Sequence, residues 1–240
     1  MALTFTLVDS ASDNVDRASY TLPVSGSYTP VSGALYYLFL HISKASTPDS
    51  PTVTGTNGWN ATWTQEGTVT YNTLASPNRR LSLFSGVASS NTAGTFTVDF
   101  GANTETSVGW SLIKVTGNAA SGYSVQVKTA TIDTTGTSLT LTFDNAFANS
   151  SNEHLGALGQ ASDQAANPGT GFAELSDINW TGPNTALEVN NLINDTSCDW
   201  TWTGAIRAGA ISVEVAVLAA GALSIPVAMS HYRRMTESGA

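Results

Sequence analysis

Residues 35–42 read LYYLFLHI. A run of eight with no polar alternation and too few residues for a buried helix reads as a strand covered on both faces. Such a strand needs neighbours that are nearly as apolar. Residues 107–115, SVGWSLIKV, fit that requirement and are predicted to lie beside it.

Outward from this pair, period-two alternation dominates. Leu3, Phe5 and Leu7 alternate with Thr4 and Thr6, and Phe96, Val98 and Phe100 with Thr95, Thr97 and Asp99. Val125 and Val127 alternate with Ser124, Gln126 and Lys128, and Leu139, Leu141 and Phe143 with Thr140, Thr142 and Asp144. Ile211, Val213, Val215 and Val217 share a face opposite Ser212 and Glu214. Each pattern describes a strand with one dry and one wet face. Turn residues punctuate them at 76–78 (SPN), 101–103 (GAN), 134–136 (TTG) and 167–171 (NPGTG). No helix is predicted, and the alanine-rich residues 216–222 are read as the end of the last strand. About a dozen short strands joined by polar turns define an all-β chain, an antiparallel, jelly-roll-like β-sandwich. Residues 1–220 are read as one sandwich domain, with 1–12 as an N-terminal strand or arm and 221–240 as an extended C-terminal tail.

Charged residues make up only 11% of the 240, against the usual quarter, and the formal net charge is −9. That sign disfavours nucleic acid, whose binding rests on lysine and arginine. No apolar run is long enough to span a bilayer, so no membrane partner is expected. Cys198 is the only cysteine, which excludes an internal disulfide and a multi-cysteine metal site. The start, MALTFTLVDSAS, alternates like a strand and lacks the pattern of a signal peptide, pointing to synthesis in a cytoplasm.

The search for chemistry assigns no catalytic residue, cofactor or metal. No G-x-S-x-G elbow occurs, and Cys198 shares a strand face with Trp200 and Trp202, as a small core hydrophobe does. His41, His154 and His231 stand far apart in the chain, and His41 is read as a core or edge residue. Asp9, Asp13 and Asp16 form the one candidate calcium cluster, at a spacing that matches no recognised loop. Glu66, Glu105, Glu174 and Glu188 are the candidate acids for glycoside hydrolysis, which needs two carboxylates facing one cleft. Glu188, opposite Leu187 and Val189, and Glu105, beside a turn, are read as solvated, and nothing in the sequence pairs the acids. A non-enzymatic protein is therefore expected. The six tryptophans, Trp59, Trp63, Trp110, Trp180, Trp200 and Trp202, are read as core in preference to sugar platforms.

Four further marks stand out: Arg79-Arg80-Leu81 before a strand, Gly109-Trp110-Ser111, Gly171-Phe172 followed by Glu174-Leu175, and Asp199-Trp200-Thr201-Trp202. In this order, from about Leu35 to Val217, the chain resembles β-sandwich proteins encoded in bacteriophage and prophage structural-gene regions. The resemblance implies a virion component made in the bacterial host cytoplasm: a capsid decoration protein, a head fibre, or part of the neck or tail. Its implied partners are other copies of itself and the major capsid, neck or tail proteins. A host-surface glycan is the alternative partner. The tail carries the remaining expectation. Ile225, Pro226, Val227, Met229, His231, Tyr232, Arg233 and Arg234 set an apolar edge and a basic end on an acidic chain, and are read as an assembly segment.

Overall fold

The computed structural model describes residues 2–73, 75 and 77–218. Fourteen strands follow one another: β1 (Thr4–Asp13), β2 (Ser19–Leu22), β3 (Leu35–Ser43), β4 (Thr52–Gly55), β5 (Thr64–Tyr71), β6 (Arg79–Val87), β7 (Phe96–Asp99), β8 (Ser107–Thr116), β9 (Ser124–Thr142), β10 (Glu153–Gln160), β11 (Asn167–Pro168), β12 (Ala173–Trp180), β13 (Thr185–Ile193) and β14 (Ser197–Val215). A 3-10 turn at Asn57–Trp59 is the only helical element among the described residues.

The strands form three antiparallel sheets. The first runs β1-β8-β3-β6-β5, the second β2-β7-β4, and the third β11-β14-β10-β13-β12 with β9 also on β14. Strands 1, 8, 3 and 6 against 2, 7 and 4 is the interleaved order of a jelly roll, with β5 carried on the edge beyond β6.

The stretch 35–42 lies at the centre of this arrangement. β3 pairs β8 on one side (Leu35 opposite Val115, Ser43 opposite Ser107) and β6 on the other. Tyr36, Leu38, Leu40 and Ile42 pack into a cluster with Tyr20, Trp59, Phe96 and Trp110, between the first and second sheets. Leu35, Tyr37 and Phe39 pack into another with Leu155, Leu187, Ile211 and Val213, between the first and third sheets. The first sheet is therefore the middle layer of three, which is why β3 tolerates no wet face.

The third sheet departs from the sequence expectation. Ser212 and Glu214, read as the wet face of the last strand, are fully buried. The reason is the length of β9 and β14, 19 residues each. Their ladder breaks between Thr201 and Ile206. Beyond that break Cys198, Trp200 and Trp202 pack with Leu139 and Leu141 onto Leu158, Ala208 and Ala210, so the hairpin covers the outer face of its own sheet.

Of the two readings of the N-terminal segment, the strand holds for β1, which pairs with β8 over its whole length, apart from a register shift between Leu7 and Asp9. Trp59 lies in the 3-10 turn, before β5 starts at Thr64. Val125, assigned to a dry face, is 46% exposed.

Candidate functional site

The most tightly built polar group sits between the middle and third sheets. His41, continuing the inward row of β3, is fully buried and its Nε2 hydrogen-bonds the Tyr71 hydroxyl. Its ring also meets Trp180 at a centroid distance of 5.7 Å. Glycine makes the space: a Cβ on Gly159 would lie 2.6 Å from the His41 ring, and one on Gly109 would lie 2.2 Å from Trp180. Burial, with a smaller contribution from Arg79, holds His41 well below its ordinary pKa, so the imidazole is neutral. With no opening to solvent at the histidine, this group is a packing device, as the core reading of His41 expects.

The other candidates scatter. Asp9 accepts Trp110 Nε1 at 2.9 Å and the Tyr28 hydroxyl. Asp13 binds Arg17 Nε at 3.2 Å and caps the Val15 N–H at 3.0 Å. The aspartate cluster is thus divided among structural contacts, and no group of three His, Cys, Asp or Glu among the described residues could hold a metal ion. Trp59, Trp110 and Trp200 are fully buried, Trp180 and Trp202 nearly so, and Trp63 half-buried. Cys198 is buried, its thiol pushed up by desolvation and its Sγ 3.4 Å from Asn190 Oδ1. His154 lies on the outer face of the third sheet, bonded through Nδ1 to the Asp195 carbonyl at 2.9 Å.

Both glutamates read as solvated are buried. Glu105 is inaccessible, bonded by Lys44 Nζ at 3.1 Å and by the Asp49 N–H at 3.2 Å, so it pins the loop 44–49. Glu188 is 1% exposed and neither carboxyl oxygen has a hydrogen-bond partner.

The third sheet also brings acids together that the sequence keeps apart. A bulge between Glu174 and Ser176 sets Asp177 opposite Glu188 and Glu174 opposite Asn190. Burial, and then the neighbouring Glu174, raise Asp177 to about 6. Burial first, then Asp177 and Glu174, push Glu188 well above the carboxylate range. Of the four candidate acids, the fold thus assembles Glu174 and Glu188, with Asp177 as the member the sequence search missed. No periodicity along one strand could have found it, because the contact runs across strands through a bulge.

The same sheet carries the charge of the protein. Residues 1–128, including the jelly roll, hold six Lys or Arg against seven Asp or Glu. Residues 129–206 hold nine Asp or Glu and no Lys or Arg. The exposed Glu174 and the half-buried Asp177 lie on the edge strand β12, while Asp195 and Asp199 act on His154 from the outer side. With Lys128 on β9 and Arg207 on β14 as its cations, and with Glu153 and Glu188 buried, the third layer still presents a net acidic surface, while the other two are nearly neutral. We identify this layer as the candidate interface. The tail residues Ile225, Pro226, Val227, Met229, His231, Tyr232, Arg233 and Arg234 lie outside the described residues. Glu66 lies elsewhere, at a bulge in β5, where it lines a small open cleft.

No family model matches the sequence, and no curated protein matches it. Among solved structures, a chain named "Cucumber Leaf Spot Virus" aligns with 92% of this chain and 89% of its own, at 10% identity and a TM-score of 0.25. A likeness of that size fixes neither a fold family nor a role. No helix among the described residues is long and apolar enough to cross a membrane.

Proposed function

We propose that this chain is a non-enzymatic structural protein of a bacteriophage virion, a capsid decoration protein, head fibre or neck or tail component, acting through protein–protein assembly. The observation that supports this reading best is the jelly-roll order of the first eight strands, an architecture used for viral shells and for lectins. A fold does not fix a function, and beside it stands the engagement of His41, Glu105, Cys198 and Asp9 in packing or internal contacts. The one-sided charge suits assembly, since complementary potentials set orientation between subunits. The protein is made in the host cytoplasm, joins the particle as a homo-oligomer, and meets capsid, neck or tail proteins.

Quantitative mass spectrometry of purified particles tests this. Hundreds of copies per particle identify decoration, and a dozen or fewer identify neck, tail or fibre. Absence from the particle overturns the reading. Deleting residues 224–240 is expected to leave the sandwich folded and to reduce oligomerisation or incorporation into particles. Unimpaired incorporation of the truncated chain would remove the tail from the assembly.

A further inference from the structure

Where the edge of the middle sheet faces the start of β9, an open cleft of about 320 Å³ is lined by Thr64, Glu66, Tyr123, Ser124 and the turn residues 120–122. That volume lies at the lower end of the range for small-molecule sites. Glu66 is the bulged residue of β5: the register passes from Gln65 opposite Phe84 to Gly67 opposite Leu83, leaving Glu66 unpaired in the ladder. Bulges redirect side chains in this way next to functional sites. The Glu66 carboxylate accepts from Ser85 Oγ through Oε1, while no hydrogen bond from a described residue reaches Oε2.

The opposite wall is equally fixed. The Tyr123 ring meets Tyr37 edge to face at 6.5 Å, and the Tyr37 hydroxyl lies 2.9 Å from Ser124 Oγ. The backbone of the wall is held by Ala216 N–H to Tyr123 O at 2.8 Å and Ala119 N–H to Ala216 O at 2.9 Å. A half-buried aromatic ring, an unspent carboxylate oxygen and three side-chain hydroxyls (Thr64, Ser121 and Ser124) therefore line one cleft, in which Glu66, Tyr123 and Ser124 are held by these contacts. None of the lining residues is a lysine or arginine, so the site offers nothing to neutralise an anion.

We propose that this cleft binds a neutral saccharide. Vicinal ring hydroxyls donate to Glu66, the apolar C–H edge of the sugar rests on Tyr123, and Thr64 and Ser124 exchange hydrogen bonds with the remaining hydroxyls. Hydroxyl-to-carboxylate hydrogen bonds are charge-assisted and among the stronger ones in water. A preformed wall lowers the ordering cost of binding. The site does not depend on the assembly reading, since a particle protein with or without a role in assembly could carry it.

The test uses the full chain and a panel of glucose, galactose, mannose, N-acetylglucosamine and their disaccharides, read by protein chemical-shift changes. We expect saturable binding of at least one of them, with shifts centred on residues 120–124 and on Glu66. Glu66→Gln keeps size and the Ser85 contact while removing the charge, and is expected to weaken binding by about tenfold, the value of one charged hydrogen bond. Tyr123→Ala is expected to weaken it at least as much, whereas Glu174→Gln, on β12, leaves it unchanged. Failure of every saccharide to saturate would overturn the proposal. So would equal binding by wild type and Glu66→Gln, or tighter binding of an arginine amide probe than of any saccharide. These outcomes are independent of copy number in the particle, which tests the other reading.

Discussion

The jelly-roll strands and the third sheet solve the same problem with different material. Between the first and second sheets the core is aromatic, with Tyr20, Tyr36, Trp59, Phe84, Phe96, Phe100 and Trp110 in one cluster. Its polar tips are satisfied: Trp59 Nε1 donates to the Tyr28 carbonyl at 3.1 Å and Tyr20 to the Glu105 carbonyl at 2.9 Å. The outer face of the third sheet is filled by alanine, leucine, Cys198 and two tryptophans, and it buries a polar row. In that row Glu188, Trp200 Nε1, Asn190 Nδ2, Ser212 Oγ and both side-chain polar atoms of Gln160 have no partner. Buried polar groups cost free energy unless they are bonded. The contrast is one of degree: the first eight strands and their loops leave only His41 Nδ1, Arg79 Nε and Glu105 Oε2 buried without a partner, while the third sheet retains a whole polar row at a cost and holds the acidic surface.

The largest effect should come from separating the two. A fragment ending at Asn118 keeps the jelly roll but uncovers Leu35, Tyr37, Phe39, Leu81 and Ile113 on the middle sheet. It is expected to aggregate or remain unfolded, as size-exclusion chromatography and circular dichroism would reveal. A soluble, folded fragment would show that the layers are independent.

Next come the tryptophans. Trp110→Ala and Trp200→Ala should each cost about 3–5 kcal/mol by chemical denaturation, the usual cost of emptying a large core site. Trp110 should lie at the upper end, since its loss strips from Asp9 a donor at 2.9 Å, whereas Trp200 Nε1 only approaches the Glu188 carboxyl without a well-formed hydrogen bond. The reverse order would break the comparison.

Glu188→Leu tests the polar row directly. Replacing a buried, unpartnered carboxyl by an apolar side chain is expected to stabilise the protein by roughly 1–2 kcal/mol. Destabilisation would mean that the carboxyl is satisfied in solution.

A pH scan separates two kinds of group by sign, the buried histidines and the buried or half-buried acids. His41 has its folded pKa below the ordinary 6.5, so the folded state binds fewer protons and stability falls as pH drops below 6.5. Asp177 has its folded pKa raised from 3.8 to about 6, so its contribution is complete below 3.8 and is lost as pH rises through 6. Asp177→Asn should reduce that loss in thermal melts, with Glu105, Glu153 and Glu188 still contributing to it, and leave the fall at low pH unchanged. The smallest expected effect is none: a chelator should not shift the Tm, because Asp9 and Asp13 are engaged in structural contacts.

Much of this molecule was legible in the chain. Residues 35–42 announce a two-sided strand, because a run without polar positions cannot face water on either side. The burial of Trp110, Trp200, Trp202 and Cys198 follows from strand parity, whereas Trp59 is buried from a 3-10 turn. What parity could not reveal is what lies over a face. Glu214 alternates with valines like any solvated residue, yet Asn152 Nδ2, 62 positions away, bonds it at 2.6 Å, and Gln126 Nε2, 88 positions away, at 2.7 Å. The meeting of Asp177 with Glu188 needs a bulge and a neighbouring strand, and the Glu66 cleft needs a loop more than fifty residues downstream. The sequence alone therefore determined strand, face and fold class, since the period-two geometry of an extended chain is local. The tertiary structure decided the third layer, the buried acids and the cleft. Whether a polar face meets water or protein depends on segments distant in sequence, and no local pattern encodes their position.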